Sequence, residues 1–407
     1  MSWDKVKLGD CCTKIGSGST PKGGASVYID FGVSFIRSQN VYNLHFAYDG
    51  LTHITDDAAK KLNGVTINSG DVLLNITGDS VARTCVVPDD ILPARVNQHV
   101  AIVRPDATIL DYRFLNYYLA SPFMQAFMLG LAVGKGASRN AMTKEMIANY
   151  EVPCPPLDIQ SRIVDYLYAY DKMIENNQQQ IKLLEEAAQR LYKEWFIDLR
   201  FPGYEHTKIV DGVPEGWKQS TVKVCSSLLR RGISPQYNDE GKYRVISQKC
   251  IRTPIMSTEE ARKQSKDYSS ELGLQNSDTV ICSTGTGTLG RVGQVYGDYK
   301  NTTFDSHVTV VRADIKKVGK QYLYRYLKSQ QSFLMGMGRG STNQQELYKS
   351  VIEELSILIP SMSVQDEFEA LVQPIHDQIA LLVRSTEDLK SVRDCILPKL
   401  MSGEIEV

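Results

Sequence analysis

The chain contains the sequence HVAIVR at residues 99–104 and a variant of it, HVTVVR, at residues 307–312. The spacing of 208 residues is shared by a second pair, YLAS at 118–121 and YLKS at 326–329. Two patterns with one long spacing indicate a duplicated unit, and a unit of half the chain is a domain rather than a short solenoid repeat. The fold is therefore predicted to contain the same globular domain twice.

Further short matches occur in the same order in both halves of the chain. They pair Thr77-Gly78 with Thr284-Gly285, Gly18-Ser19-Thr20-Pro21 with Gly232-Ile233-Ser234-Pro235, and Gly136-Ala137-Ser138 with Gly340-Ser341-Thr342. Their spacings drift by a few residues, as small loop insertions would cause. Pro156 and Pro360 each precede a long helical pattern. The predicted order is globular unit, long helix, globular unit, long helix.

Two segments have apolar residues at the three- and four-residue steps of a heptad repeat. They run over Ile163–Trp195 and Phe368–Leu400, and each predicts a long helix. Pro374 is predicted to kink or open the first turns of the second helix, and Pro398 to fray its end. One helix alone cannot bury so long a stripe, so the simplest prediction is an antiparallel pair. The alternative is two separate helices, each lying on its own domain.

The globular units have the pattern of domains that mix helices and strands. Amphipathic runs predict helices at 112–129 and 321–335. The predicted strands are 33–36, 71–76 and 100–103 in the first unit, and 243–246, 279–282 and 308–311 in the second. The predicted fold class is α+β. Two similar globular domains at 1–156 and 201–359 are separated by a central helix at 157–200 and a C-terminal helix at 360–407, packed as an antiparallel coiled coil.

Charge is distributed unevenly along the chain. The formal net charge is −1, but the helical segments 157–198 and 361–407 contain 17 acidic and 9 basic residues. The helices therefore carry −8, which leaves +7 on the two globular units. Because binding to duplex DNA requires basic charge that faces phosphates, this partition permits a DNA-binding face that the average charge conceals. The plain alternative is a solvated helical surface beside ordinary domains.

The catalytic motifs that the sequence approaches do not meet their structural requirements. Gly285–Gly290 is a literal GxGxxG, but the residues after it alternate like a strand, whereas a dinucleotide site needs a helix there. Gly130–Gly136 is one residue too short for a phosphate-binding loop. His99 and His307 recur without a nucleophile or a carboxylate pair, so we predict that they form hydrogen bonds within their strand regions. The chain is expected to bind rather than to catalyse.

Cysteine usage and apolar runs give two further expectations. None of the eight cysteines belongs to a CxxC pair, which argues against a metal site and against a disulfide framework. No apolar run is long enough to span a bilayer, and the first residues lack an apolar signal core. The expected location is therefore the cytoplasm, without a membrane partner.

Two similar but diverged domains with long helical spacers suit a target that has two spaced, unequal subsites. Double-stranded DNA is such a target, because two-fold proteins read half-sites separated by whole helical turns. Polar, Gly-rich loops supply side chains that can contact base edges or phosphates. The candidate DNA-binding residues of the first unit are Ser19, Thr20, Lys22, Arg37, Gln39, Asn40, Thr77, Asp79, Ser80, Arg83, Gln98, Lys135 and Arg139. Those of the second unit are Arg231, Gln236, Gln248, Lys249, Thr284, Thr286, Thr288, Arg291, Arg339, Thr342, Asn343 and Gln344.

A larger set of motifs becomes specific through its order. It comprises the segments 18–21 and 232–235, the two Thr-Gly loops, Asn97–Val100, Pro156–Gln160, Pro360–Gln365 and Leu400–Ile405. Each motif alone is degenerate, but together they cover essentially the whole chain. In this order they resemble the specificity (S) subunit of bacterial type I restriction-modification systems.

The resemblance implies two target recognition domains, each reading one half of a split, asymmetric DNA sequence, and helices that fix the spacing of the halves. It also implies that this chain binds no cofactor and catalyses no reaction. Its partners would be two modification subunits, which bind S-adenosylmethionine and methylate adenine N6, and ATP- and Mg²⁺-dependent restriction subunits with motor and endonuclease activity. The competing hypotheses are a two-headed scaffold that does not bind DNA, and an enzyme that uses the Gly-rich loop at 285–290.

Overall fold

The computed structural model describes residues 3–132, 141–252, 255–258, 260–285, 287–338 and 345–406. The chain forms two compact units: unit 1 contains Met1–Ile174 and Glu387–Val407, and unit 2 contains Glu175–Thr386. Both boundaries fall inside long helices. Each unit therefore combines a globular part with one half of each helix, a division that cuts across the four segments expected from the sequence.

Unit 1 is built from short strands and helices. Its strands are β1 (Lys5–Lys7), β2 (Cys12–Ser17), β3 (Tyr28–Ile29), β4 (Val33–Ile36), β5 (Val41–Tyr42), β6 (His45–Phe46), β7 (Thr52–Ile54), β8 (Thr66–Ile67), β9 (Val72–Asn75), β10 (Thr84–Val86), β11 (Ala94–Val96), β12 (Val100–Pro105) and β13 (Glu151–Pro153). Its helices are α1 (Asp56–Lys61), α2 (Tyr112–Ala120), α3 (Pro122–Ala132), α4 (Lys144–Ala148), the first half of α5 (Leu157–Tyr192) and the second half of the C-terminal helix (Met362–Ser402), which is named α10 below.

The main sheets of unit 1 have four and five strands. The first is antiparallel, in the order β10-β9-β12-β2, and the second has the order β3-β7-β4-β11-β8, in which β4 and β11 are parallel. Successive residues of a strand point to opposite faces, and β9 and β12 are buried on both. Leu73 and Ile102 belong to one apolar cluster, while Leu74 and Val103 belong to another. These strands form a rigid centre for the loops at their ends.

Unit 2 repeats this plan. Its strands are β14 (Ile209–Val210), β15 (Val213–Pro214), β16 (Lys218–Thr221), β17 (Ser226–Arg231), β18 (Tyr243–Ile246), β19 (Ile251–Arg252), β20 (Ile255–Met256), β21 (Arg262–Gln264), β22 (Thr279–Cys282), β23 (Val292–Gln294), β24 (Thr302–Phe304), β25 (Val308–Ala313) and β26 (Ser356–Ile359). Its helices are α6 (Val222–Cys225), α7 (Lys320–Ser329), α8 (Gln331–Gly336), α9 (Lys349–Glu353), the second half of α5 and the first half of α10 (Met362–Ser402). The neighbours β17-β25-β22-β23 match β2-β12-β9-β10, and the parallel pair β18–β24 matches β4–β11. The predicted α+β class and duplication are confirmed.

A buried ion pair lies at the same place in both units. Arg104 on β12 donates two hydrogen bonds to the carboxylate of Asp71, at 2.7 and 2.8 Å. Arg312 on β25 donates two to Asp278, each at 2.8 Å. The two carboxylates are almost completely buried, and a buried charge requires such a partner. The pair ties the start of β9 or β22 to the neighbouring strand.

The halves of α5 and α10 that belong to unit 1 run in opposite directions. Arg393 of α10 donates to Asp171 of α5 at 2.6 Å. Further along α10, Leu397 and Leu400 join the core cluster that contains Ile163 and Val164, which are earlier residues of α5. Residue numbers therefore rise along one helix as they fall along the other.

The halves that belong to unit 2 show the same relation. Asn177 of α5 donates to Ser385 of α10 at 3.2 Å. Farther along α5, the ring of Tyr192 packs on Phe368 with 6.4 Å between the ring centroids. The predicted antiparallel pairing is thus confirmed within each unit, and α5 ends in a π-helical turn at Lys193–Ile197.

Two expectations about helices are corrected in part: neither proline interrupts α10, and two of the expected helices are each divided. α10 is continuous through Pro374 and Pro398. Both prolines lie at exposed positions. Each removes one backbone donor, and the helix continues on both sides of each proline. The helices expected at 112–129 and 321–335 are instead the pairs α2–α3 and α7–α8. α3 begins at Pro122, because a fixed φ and a missing N–H suit the first position of a helix.

Candidate nucleic-acid interface

Three loops of unit 1 meet at one end of the central strands. The Ile76 N–H, just after β9, donates to His99 O at 2.9 Å. The Asn97 N–H, in the turn between β11 and β12, donates to Ile36 O at the end of β4, at 3.0 Å. These bonds place the β9–β10 loop, the β11–β12 turn and the loop after β4 side by side on one surface.

A glycine brings a further loop to this surface in each unit. The Gly18 N–H, after β2, donates to Val100 O at 2.9 Å, and a Cβ at Gly18 would overlap Val96 O. A Cβ at Gly232 would overlap Phe304 O in the same way. The loops after β2 and β17 therefore lie directly against the turns that precede β12 and β25, and this close approach is possible because glycine has no side chain.

A histidine–threonine hydrogen bond lies at the centre of the surface in both units. His99 Nδ1 is 2.6 Å from Thr77 Oγ1, and His307 Nδ1 is 2.7 Å from Thr284 Oγ1. The backbone N–H of each histidine donates to the Oδ1 atom two residues earlier, at 3.1 and 2.9 Å. The prediction that both histidines form hydrogen bonds within their strand regions is confirmed. We call each of these the His–Thr pair.

In unit 1 the loops surround a concavity of about 550 Å³. The Arg83 guanidinium lies over the Tyr42 ring, 4.6 Å from its centroid, an arrangement that holds the cation in place. Gln98 donates to His99 Nε2 at 3.3 Å and accepts a hydrogen bond from Thr20 Oγ1. The lining residues are Ser38, Gln39, Tyr42, Thr77, Gly78, Asp79, Ser80, Arg83, His99 and Ala141. This lining combines the Arg83 guanidinium and the Asp79 carboxylate with many neutral hydrogen-bonding groups.

In unit 2 the corresponding loops bring Gln248, Thr284 and Thr288 together. Thr284 Oγ1 donates to Gln248 Oε1 at 3.5 Å, and Thr288 Oγ1 donates to Thr284 O at 3.0 Å. Gly285 has a φ of +102°, which allows the turn after β22 to reverse sharply. The loop leads into strand β23, as expected from the alternation. Its described residues, 283–285 and 287–291, form no helix whose N-terminus could receive a pyrophosphate.

The candidate residues differ in how far they are exposed. Those exposed to solvent are Ser19, Thr20, Lys22, Gln39, Asp79 and Gln98 in unit 1, and Gln236 and Lys249 in unit 2. Those half-buried are Arg37, Thr77, Ser80 and Arg83 in unit 1, and Arg231, Gln248, Thr284, Thr288 and Arg291 in unit 2. Lys135, Arg139, Thr286, Arg339, Thr342, Asn343 and Gln344 lie outside the described residues.

The structure corrects the prediction for Asn40. Its side chain is completely buried, donates to Ala47 O at 2.9 Å and accepts from the Arg37 N–H at 3.0 Å. A buried amide that is used in this way stabilises the turn after β4 and cannot reach a base edge. Nearby, Arg37 and Gln39 both donate to Gly50 O, at 2.8 and 3.1 Å. These two also hold the loop.

Arg231 has a similar structural contact in unit 2. It pairs with Glu346 and donates to Leu347 O at 2.7 Å, so it fixes the segment before α9. The sequence prediction missed His99, His307 and Tyr42 as members of the surface. A signal for the histidines was available, because each one opens the repeated hexapeptide while a Thr-Gly pair recurs upstream.

The turn before His307 contains a buried carboxyl group. Asp305 is 1% exposed, and burial raises its pKa, an effect that the His307 backbone N–H and the nearby His307 ring oppose. The equivalent position in unit 1 is Asn97, whose neutral amide makes the same bond to the following histidine. The two surfaces therefore share backbone geometry but differ in charge.

Comparison with known proteins identifies relatives along the entire chain. A family model described as the type I restriction modification DNA specificity domain matches residues 1–186 and again residues 214–390. The type I restriction enzyme MjaIX specificity subunit of Methanocaldococcus jannaschii is 25% identical, over 100% of this chain and 94% of that protein. The HindI specificity subunit of Haemophilus influenzae is 22% identical, over 99% of each protein.

A solved structure shares the fold. The crystal structure of the S subunit of a type I restriction-modification system from M. genitalium is 15% identical, with a TM-score of 0.52, over 98% of this chain and 96% of that one. Within the described ranges, no helix has the length and apolar character needed to cross a membrane.

Proposed function

The chain belongs to the type I restriction modification DNA specificity domain family, and on this premise we propose that it is the DNA sequence-recognition subunit of a type I restriction-modification complex. Each unit would read one half of a bipartite, asymmetric site through the loop surface described above. The chain itself would supply specificity without catalysing a reaction.

The observation that carries the proposal is a matched backbone with unequal side chains. The Asn75 N–H donates to Arg83 O at 2.8 Å, and the Cys282 N–H donates to Arg291 O at 2.9 Å, so the two arginines occupy equivalent positions. Both arginines are half-buried at the edge of a loop surface. A matched cation in each unit suits contact with phosphates, which both half-sites present, or with a guanine in each half-site.

Neighbouring equivalent positions differ. The turn after β4 closes with the Asn40 N–H donating to Arg37 O at 2.8 Å, and the turn after β18 with the Cys250 N–H donating to Ser247 O at 3.0 Å. The residue before each closing N–H is an exposed Gln39 in unit 1 and an exposed Lys249 in unit 2. Glutamine and lysine favour different bases, as two unequal half-sites require.

The partners form the finer part of the proposal. Two modification subunits would bind S-adenosylmethionine and methylate adenine N6, and restriction subunits would use ATP and Mg²⁺. We propose that α5 and α10 dock the modification subunits and that their length sets the spacing of the half-sites. Exposed apolar side chains on these helices support docking: Tyr166 and Met173 are 50% and 54% exposed in unit 1, and Leu381 is 65% exposed in unit 2.

Selection from a random pool of duplex DNA tests the proposal. The assembled complex of this chain with its modification subunits should enrich a motif of two defined halves separated by a fixed number of unspecified base pairs. Its affinity for that motif should fall steeply with salt. The control is the modification subunits without this chain, which should enrich no motif. A complex that retains no DNA, or retains it without preference, would contradict the proposal and favour the scaffold hypothesis.

A further inference from the structure

The outer edges of the two matched histidines have different surroundings. In unit 1, His99 Nε2 accepts a hydrogen bond from Gln98, which also contacts Thr20. In unit 2 the residue before the histidine is Ser306, whose side chain is shorter than that of glutamine and has no amide group. Among the described residues, none is hydrogen-bonded to His307 Nε2, and the His307 side chain is exposed.

The contact between Thr284 and Gln248 indicates which nitrogen of His307 carries the proton. Gln248 Oε1 can only accept, so Thr284 Oγ1, which lies 3.5 Å from it, donates its hydrogen to Gln248. Thr284 Oγ1 then accepts from the His307 Nδ1–H across 2.7 Å. The outward Nε2 atom of the neutral ring is therefore an acceptor.

The pair in unit 1 leads to the same assignment. Gln98 Oε1 accepts from Thr20, so the Gln98 amide N–H group is the one that donates to His99 Nε2. Nε2 of His99 is therefore an acceptor and Nδ1 carries the hydrogen toward Thr77. The two histidines share one tautomer, but in unit 2 the acceptor atom is left for a ligand.

Resting on the proposed function, we propose that His307 is a specificity-determining residue of the half-site read by unit 2. Its Nε2 atom accepts a hydrogen bond from the exocyclic amino group of one base in the major groove. Adenine N6 and cytosine N4 are the groups that present such a donor there. Guanine O6 and thymine O4 are acceptors and would face this nitrogen unfavourably.

The surroundings of His307 are built for such a contact. Thr284 holds the ring at a fixed rotation, so little side-chain entropy is lost when a base binds. Gln248 lies beside Thr284, and Lys249 next to it is exposed. The backbone of His307 is fixed as well, since its N–H bonds to Asp305 and its carbonyl accepts the Ser283 N–H at 2.8 Å.

Two substitutions separate a reading role from a structural one. In His307→Asn the side-chain amide occupies the position that Nδ1 has in histidine. This variant therefore keeps a donor for Thr284 and loses the outer acceptor Nε2. The longer His307→Gln places its amide near Nε2 and loses the bond to Thr284. His206→Asn is the matched control, because His206 is an exposed histidine of the same unit in a short turn after α5.

Selection from a random duplex pool is run with complexes of the modification subunits and each variant. His307→Asn should lose preference at one base pair of one half, on the order of tenfold, while the other half and the spacing stay unchanged. His307→Gln should keep a preference at that base pair, weakened by looser positioning, and His206→Asn should reproduce the wild-type motif.

An unchanged motif for His307→Asn would overturn the inference, as would a loss of base preference in both halves of the motif. A wild-type complex that enriches no bipartite motif would contradict both the proposed function and this inference. If the wild-type complex enriches a bipartite motif and His307→Asn enriches the same motif, only the role proposed for His307 is contradicted.

Discussion

At the scale of single residues, the two units differ in charge where their backbones match. Asn97 and Asp305 occupy equivalent turns of the two units. The side-chain Oδ1 atom of each accepts a hydrogen bond from the backbone N–H of the histidine two residues later. Burial raises the pKa of Asp305. A carboxyl group whose pKa is raised in the folded protein stabilises it at low pH, and this contribution is lost as the pH rises through the folded-state value. The wild-type turn therefore holds a charge that opposes folding at neutral pH.

Asp305→Asn should raise the stability of the complete chain at neutral pH. The amide keeps the Oδ1 acceptor for the His307 N–H and removes the desolvated charge, so the free energy of unfolding should rise by up to about 1 kcal/mol at pH 7. The gain should vanish below about pH 4, where the unfolded carboxyl is protonated.

Denaturant titrations over a range of pH measure this difference. Asn97→Asp is the matched reverse variant and should introduce the same pH-dependent loss into unit 1. A gain that does not change with pH, or a loss of stability in Asp305→Asn at pH 7, would refute the role assigned to burial of this carboxyl.

Sequence patterns located the loop residues better than they assigned their roles. Thr77 and Gln98 were predicted as polar members of the surface, and the structure brings them together around His99. Asn40 was predicted to read a base because it is a polar residue next to Gln39 in a loop. In the structure its amide is buried and donates to Ala47 O, which lies across the turn. Such pairings are set by the fold and not by local residue type.

At the scale of elements, α5 is anchored in unit 2 by a buried polar cluster. Glu185 accepts two hydrogen bonds from Arg325, at 2.7 and 3.1 Å, and bonds from the hydroxyls of Tyr296 and Tyr324. Although burial acts to lower the pKa of Arg325, Glu185 and the two tyrosines hold it above its usual value. The Arg325 and Glu185 side chains are 0% and 7% exposed, so the cluster ties α5 to α7 through charges that are largely shielded from water.

Glu185→Ala should strongly destabilise unit 2. The substitution leaves the Arg325 guanidinium buried and unpaired, and breaking a buried pair in this way costs about 3–5 kcal/mol. Glu186→Ala is the neighbouring control. Its side chain is 44% exposed and pairs with Arg190 at 3.9 Å on the surface, so its loss should change stability by no more than about 0.5 kcal/mol.

Chemical denaturation with a probe in unit 2 distinguishes the two variants. Trp217 is buried in that unit and packs on Phe201, so fluorescence follows the transition. Equal midpoints for the Glu185 and Glu186 variants would show that the cluster does not anchor the helix.

The central strands and the two long helices were predicted correctly, whereas the positions at which helices are interrupted were not. Short runs rich in apolar and β-branched residues predicted β9, β12, β22 and β25, and heptad spacing predicted α5 and α10. The division of each expected helix into α2–α3 and α7–α8 was missed, because apolar periodicity continues across the break at Ser121. The continuity of α10 through Pro374 was missed because the local pattern shows only the cost of a proline, about 3 kcal/mol inside a helix. Packing of the buried residues on both sides, Val372 and Ile379, stabilises the helix and depends on the fold.

At the scale of the whole molecule, duplication predicts independent half-sites. Arg83 and Arg291 occupy equivalent backbone positions in the two units. If each arginine reads a base, Arg83→Ala should alter only one half of the recognised sequence and Arg291→Ala only the other. If each contacts phosphate, both variants should weaken binding to all sequences and reduce the salt dependence by about one ion equivalent each. Competition binding with half-site mutants of the selected DNA separates these outcomes.

The most direct test of the two-reader account is a map of N6-methyladenine in the genome of a cell that expresses this chain with its modification subunits. The account predicts one bipartite motif with two unequal halves and a constant spacer, and Arg83→Ala and Arg291→Ala each affecting a different half if these arginines read bases. A single continuous motif, a variable spacer, or methylation without any sequence preference would contradict it.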